Sequence, residues 1–450
     1  MFAYSQAQFT EICSDVLRIA RDLGAAQAAV EASEGYGLTV GTRKGEVEKV
    51  EHNRDKSLGV TVYLGTAGRM RRGHASTSDL SPAALRATVQ AAYDIARFTA
   101  EDDCAGLPEP ELYERAPRDL DLLHPWPIEV PQAIELARRM EDAAFATDRR
   151  ITNSEGAMVS AQQSHFVAAN SEGFVGGYGS SRHGLSCTPI AGRGDDMHVD
   201  SWYSSARAAD ELAEPEAIGR YAAERALSRM KARKLGTVKC PVLFESQLAV
   251  GLLGAYVQAT SGAALYRHAS FLTDSIGKPT WADHIAIHED PHLPRGRGSA
   301  PFDDEGVATC PRDVVSGGVT QGYFLSCYTA RKLKLRTTGN AGGSHNLRLR
   351  SALTRPGDDL QAMLRKLGRG LFVIDLMGQG VNYVTGDYSR GAFGFWVEGG
   401  EIRHPVHEIT IAGNLRDMLR HVVAVGADEY TYGSKTVGSL LIGEMTIAGN

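Results

Sequence analysis

Residues 241–262 read PVLFESQLAVGLLGAYVQATSG. The run enters from an apolar, strand-like stretch at 240–244. It then turns helical, with Leu248, Leu252, Ala255 and Ala259 recurring on one face. This pattern predicts a short strand feeding the first helix of a large C-terminal domain. In a hydrolase of this size such a helix is a natural place for metal ligands. Yet between Phe244 and Gly262 there is no His, no Cys and one carboxylate, Glu245.

Downstream of this helix, residues 238–450 are rich in Gly and short apolar runs. Residues 371–376, 381–385 and 393–397 read as buried strands, and Glu398-Gly399-Gly400-Glu401 as a hairpin turn between Val397 and Ile402. Upstream, the Ala-, Glu- and Arg-rich residues 206–231 predict a long helix leading to a boundary near Leu235. At the N-terminus, Phe9, Ile12, Cys13, Val16, Leu17 and Ala20 keep helical spacing over 5–23, and Gly24 follows as a stop. Short alternating runs at 28–34, 36–43, 46–52, 58–64 and 69–75 then predict an antiparallel meander.

Ser81-Pro82 opens a second helix, because a Ser oxygen caps free N–H groups and Pro has none to leave unpaired; Leu85, Val89, Ala92 and Phe98 carry its apolar stripe. A polar, Pro-rich connection follows at 101–117. Residues 131–145 are again helical. Beyond them NSEG occurs twice, at 153–156 and 170–173, each copy predicting a tight turn within one sheet. The predicted fold class is therefore α+β. Two helix-plus-antiparallel-sheet units, 1–105 and 118–232, precede a mainly β domain, 235–450, with an interrupted helix at its start.

The chain has 450 residues, 43% of them hydrophobic, and a net charge of -6. Lys and Arg are interleaved with acids, which argues against a nucleic-acid footprint and against a polybasic membrane patch. Six cysteines stand singly, with no CxxC, as reduced thiols in a cytoplasmic protein do. No basic, apolar leader pattern opens the sequence, and no run of about 18 apolar residues could span a bilayer. These features predict a cytoplasmic location with no membrane partner.

Three places could carry chemistry. HIAIHEDPH sets His284, His288 and His292 at i+4 spacing beside Glu289 and Asp290, but Pro291 breaks any helix that would align them, leaving a polar surface loop. Cys327 and His345 could form a thiol–base pair, although Cys327 sits in an apolar-aromatic run where inert thiols are common. The glycine clusters 339–343 and 378–386 lack a phosphate-binding signature. The Gly-rich polar segments TTGNAGGSHN (337–346) and MGQGVNYVTGDYSRGAFGFW (377–396) could let an extended peptide add as a strand, or could simply be turns and bulges of a curved sheet. Asn340, Ser344, His345, Gln379, Asn382 and Tyr388 are the candidate substrate-cleft residues.

Taken together, STSDLSP (76–82), PFDDEG (301–306), TARKL (329–333), TTGNAGG (337–343), LMGQGVNYVTGDYSRGAFGFWVEGGEI (376–402) and EITIAGNLRDM (408–418) resemble the TldD/PmbA family, once labelled modulators of DNA gyrase. The likeness is nearer to its PmbA, or TldE, branch than to TldD. It implies a cytosolic zinc metalloprotease system in which TldD and TldE pair as a heterodimer and cleave unfolded or extended peptides, among them an antibiotic precursor and an antitoxin. In TldD an HExxxH motif on the helix after the entry strand binds zinc, with a downstream Cys. The resemblance puts the motif positions at Gly254, Ala255 and Ala259, and the Cys region at 432–434, where this chain has none.

The resemblance thus implies a pseudoenzyme subunit with no catalytic or metal residue of its own, zinc being expected in the TldD partner. When isolated, such a chain could pair with itself as a homodimer. Two other readings stay open. One is a stand-alone hydrolase using His284, His288 and Glu289, or Cys327 and His345. The other is a peptide-binding or gyrase-modulating protein without catalysis, for which the lack of a basic face weakens direct DNA contact.

Overall fold

A computed structural model describes residues 2–449. The chain forms two compact units: residues up to 230 together with 305–308, and residues 231–304 together with those from 309 onward. In the first, the helix Gln6–Asp22 is capped reciprocally, since the Ser5 hydroxyl accepts from the Gln8 N–H and the Gln8 side chain accepts from the Ser5 N–H. Phe9, Cys13, Val16 and Ala20 are its buried stripe. The helix Pro82–Phe98 starts at Ser81 as its sequence predicts, the hydroxyl accepting from the Ala84 N–H.

The two predicted helix-plus-sheet stretches share one eight-stranded sheet, because strand Gln27–Arg43 pairs antiparallel with Glu46–Thr66 on one side and with Ile151–Asn170 on the other. The predicted pieces 28–34 and 36–43 are one strand, and so are 46–52 and 58–64. Most of 46–57 lies exposed and is carried through by continuous backbone pairing with 33–43, with Ser57 Oγ meeting Ser33 Oγ and Arg54 meeting Glu34 across the pair. The two NSEG copies part company. Asn170–Gly173 makes a turn in which the Asn170 side-chain oxygen accepts from the N–H groups of Glu172 and Phe174 at 3.0 and 3.1 Å. The first copy lies inside the strand as a bulge, with register shifts around 151–156 and Gly156 at φ 118°, where a Cβ would lie 2.5 Å from the Thr42 carbonyl oxygen. The long helix predicted over 206–231 is shorter, Pro215–Ser228, because Pro215 fits only its first turn.

The second unit holds two six-stranded sheets. One places Val238–Phe244 between Arg369–Met377, parallel, and Leu440–Gly449, antiparallel. The other centres on Ile285–Asp290, flanked by Arg312–Ser316 and Asn346–Ser351. It ends in the hairpin Tyr430–Tyr432/Lys435–Val437, whose second strand runs parallel to Asn346–Ser351. The interrupted helix is present as Ser246–Ala259 and Gly262–Tyr266, the break falling where the Ser261 hydroxyl caps the second piece.

Leu252, Leu253 and Tyr256 from that helix join Val242 and Val373 of the first sheet and Ile285, Leu347 and Val437 of the second in one buried cluster. The helix is therefore the filling between two sheets. The EGGE turn forms as predicted, Gly399 and Gly400 both having positive φ. Residues 381–385 are not a strand. The Asn382 side-chain oxygen accepts from the Val384 N–H at 3.0 Å and folds the segment into a turn, a local bond that outcompetes strand pairing. The α+β class holds, and among the described residues no helix is long and apolar enough to cross a membrane.

Candidate functional site

The helix Ser246–Ala259 follows Glu245 and contains no acid, imidazole or thiol. Ala249, Val250, Leu252, Leu253, Ala255, Tyr256 and Ala259 are buried, whereas Gly251 and Gln258 are exposed and Gly254 is half-buried. A Cβ on Gly251 or Gly254 would meet nothing within 4 Å, so packing demands neither glycine. Both strands of the hairpin 430–437 pack on this helix. The two regions that the family resemblance links, positions 254, 255 and 259 and the turn 432–434, thus sit on contacting elements.

Neither region offers an atom suited to zinc. Ala255 and Ala259 are 6% and 0% exposed with only methyl side chains, and the hairpin holds Tyr, Thr, Gly, Ser, Lys and Val. These residues do not fit a catalytic metal. Among the described residues, the one group of three metal-capable side chains close enough to share an ion is Asp102, Asp103 and Cys104, in the first unit.

The three imidazoles of HIAIHEDPH do not converge. Residues 285–290 are a strand and not the surface loop that Pro291 implied; Ile285, Ile287 and Glu289 point inward and His288 outward. His284 bonds Ser351 Oγ and the Val422 carbonyl through its two ring nitrogens, at 2.8 and 2.9 Å. His288 meets Asp313 at the surface, and His292 Nε2 lies 3.1 Å from Thr309 Oγ1. Cys327 opens a short helix and is buried, while His345 Nδ1 faces Glu289.

Glu289 is the organising group of this region. Its carboxylate is 1% exposed and accepts from the His345 N–H at 2.8 Å, from Asn340 Nδ2 at 2.9 Å and from Arg312 Nε at 2.7 Å, with His345 Nδ1 at 3.2 Å. Burial alone would raise its pKa. The His345 hydrogen bond and the Arg312 charge win, and hold it at about 2. Asp303 adds a second tie, accepting from the Ala341 N–H at 3.0 Å. The Gly-rich loop 337–346 is pinned from beneath by carboxylates.

Of the candidate cleft residues, Asn340 and His345 therefore meet at Glu289, 4% and 7% exposed. Ser344 beside them is half-buried. Gln379 and Asn382 lie on an exposed turn, and Tyr388 is buried in the cluster around the central helix. Sequence reasoning missed Arg312. Glu289 it named for the wrong companions, although the alternation Ile285, Ile287, Glu289 already put that carboxylate on the buried face.

Three consecutive family models match the chain: the PmbA/TldA metallopeptidase domain 1 over residues 28–96, the central domain over 123–230 and the C-terminal domain over 237–449. The chain belongs to the PmbA/TldD metallopeptidase family. Within it the similarity is to the PmbA, or TldE, branch. Metalloprotease PmbA of Escherichia coli O157:H7 is 49% identical over 94% of this chain and 92% of its own. A PmbA homologue from Haemophilus influenzae is 43% identical over 99% and 97%. Among crystal structures, one from Bacteroides thetaiotaomicron VPI-5482, described as a candidate modulator of DNA gyrase, superposes with a TM-score of 0.91 at 25% identity over 98% of this chain and 99% of its own. TldE from Thermococcus kodakarensis shares the fold, with a TM-score of 0.81 at 18% identity over 97% and 100%.

Proposed function

We propose that this chain is the non-catalytic, TldE-like subunit of a cytoplasmic two-subunit zinc peptidase. It pairs with a TldD-type chain and helps hold an unfolded or extended peptide. The observation that carries this reading is the helix Ser246–Ala259 with the hairpin 430–437 packed on it, neither supplying a metal donor. Catalytic zinc needs about three protein ligands and an open position for water, with a carboxylate to take the water's proton. Methyl groups and hydrogens at 255, 259 and 254 can do none of this. The metalloprotease names of the relatives fit an activity that belongs to a pair, with zinc in the partner.

The test is a peptidase assay on extended peptides with the purified chain alone, with a TldD-type chain alone and with both. The expected result is no cleavage by this chain, cleavage by the pair, and loss of the pair's activity on chelation. Cleavage by this chain alone, abolished by a chelator, would overturn the reading.

A further inference from the structure

Several enclosed cations among the described residues are matched by carboxylates. Arg312 has Glu289, and Arg225 and Arg229 share Asp200. Lys435 departs from that pattern. It lies on the hairpin strand Lys435–Val437, opposite Tyr432 on one side and beside Leu347 on the other. Paired residues share a face, and so do residues two apart on a strand. Lys435 therefore emerges on the side of Leu347 and Val437, 1% and 0% exposed, which is the side covered by the helix Ser246–Ala259. The outer side is marked by Thr431 and Thr436, whose hydroxyls meet at 2.8 Å in solvent.

Lys435 is half-buried, and among the described residues no carboxylate or other acceptor pairs with its ammonium. Burial lowers its pKa with nothing opposing the shift. Holding an unpaired charge out of water is unfavourable, and an arriving anion would offset that cost.

A second cation, Arg390, lies on a strand of the other sheet. Arg390 alternates with Tyr388 and Ala392, which belong to the cluster around the helix. One guanidinium nitrogen donates to the Leu376 carbonyl at 3.4 Å, while Nε is buried without a hydrogen-bond partner. No carboxylate among the described residues pairs with it either. The helix between the two sheets carries no acid over residues 246–259 and leaves open space at Gly251 and Gly254.

We propose that Lys435 forms a subsite for a carboxylate of an extended peptide, either an Asp or Glu side chain or a free C-terminus. This inference rests on the peptide-handling reading above and adds the chemistry that the site selects. Lys435 is the contact residue, because its ammonium can move on a flexible stem to meet the anion.

The experiment measures binding of four short unstructured labelled peptides to the purified chain by fluorescence anisotropy: with and without Asp or Glu, each with a free or an amidated C-terminus. Loss of one charge-assisted contact should weaken binding of carboxylate-bearing peptides about tenfold in K435M, with K435R close to wild type and the neutral amidated peptide unaffected. The peptide pair that responds tells side chain from terminus. Thermal unfolding of K435M, with K435Q as a second neutral variant, checks that the fold is kept. If the neutral variants bind every peptide as wild type does, the carboxylate subsite falls and the peptide-handling reading stands. If wild type binds none of the four, both fall.

Discussion

Replacing Glu289 by Gln tests whether the Gly-rich loop is held by charge. The amide keeps the carboxylate's shape but only one acceptor oxygen, so a donor from Arg312, Asn340 or the His345 backbone is left facing an NH2 group, and Arg312 loses its counter-ion. Two routes give the size of the effect. Removing one partner of a buried ion pair costs about 3–5 kcal/mol. Independently, the pKa held at about 2 against an ordinary value of 4.5 corresponds, at about 1.4 kcal/mol per pH unit, to about 3 kcal/mol. Because the folded pKa is depressed, this stabilisation is fully present above pH 4.5 and is lost as pH falls toward 2. Urea titrations of wild type and E289Q should therefore differ by about 3 kcal/mol near neutral pH and by progressively less below pH 4.5. Hydrogen exchange at the His345 amide, which donates to this carboxylate, should speed up in the variant at neutral pH. A neutral-pH difference under about 1 kcal/mol, or one that stays the same in acid, would refute the reasoning.

Gly254 is helical with open space at its Cβ position, so G254A should stabilise the chain by about 0.5–1 kcal/mol and raise Tm by about 2 °C, whereas A259H must overpack a site with 0% exposure and should cost about 1–3 kcal/mol. Differential scanning calorimetry of the two variants reads both signs, and a destabilising G254A would mean that this helix face is covered. Cys310 is the exposed thiol among the six, while burial pushes Cys13 and Cys187 up to about 12 and Cys240 to about 11. Native protein should take up one equivalent of maleimide rapidly and six in urea, and rapid uptake of a second would contradict the packing.

Features encoded locally were legible in the sequence. The Ser81-Pro82 start and the EGGE turn each depend on residues within one turn of the chain. Features fixed by distant pairing were not. Two identical NSEG segments become a turn and a bulge, because the first is paired in register with the distant strand 179–191. Val381 and Tyr383 have strand-forming side chains, yet Asn382 between them bonds its own backbone and wins. At HIAIHEDPH the His spacing drew attention from the shorter alternation that buries Glu289. Lys435 carried no signal at all, since its inward face follows from parallel pairing with Leu347, 88 positions away in sequence.

The central claim is that the helix Ser246–Ala259 and the hairpin packed on it form a zinc-free counterpart of a catalytic centre. Metal content by mass spectrometry tests it most directly, on the purified chain and on the chain co-purified with a TldD-type partner. The account predicts far less than one zinc per isolated chain and one per heterodimer, unchanged when Gly254 is replaced by Ala. Stoichiometric zinc on the isolated chain, released by substitutions in the helix or hairpin, would contradict it.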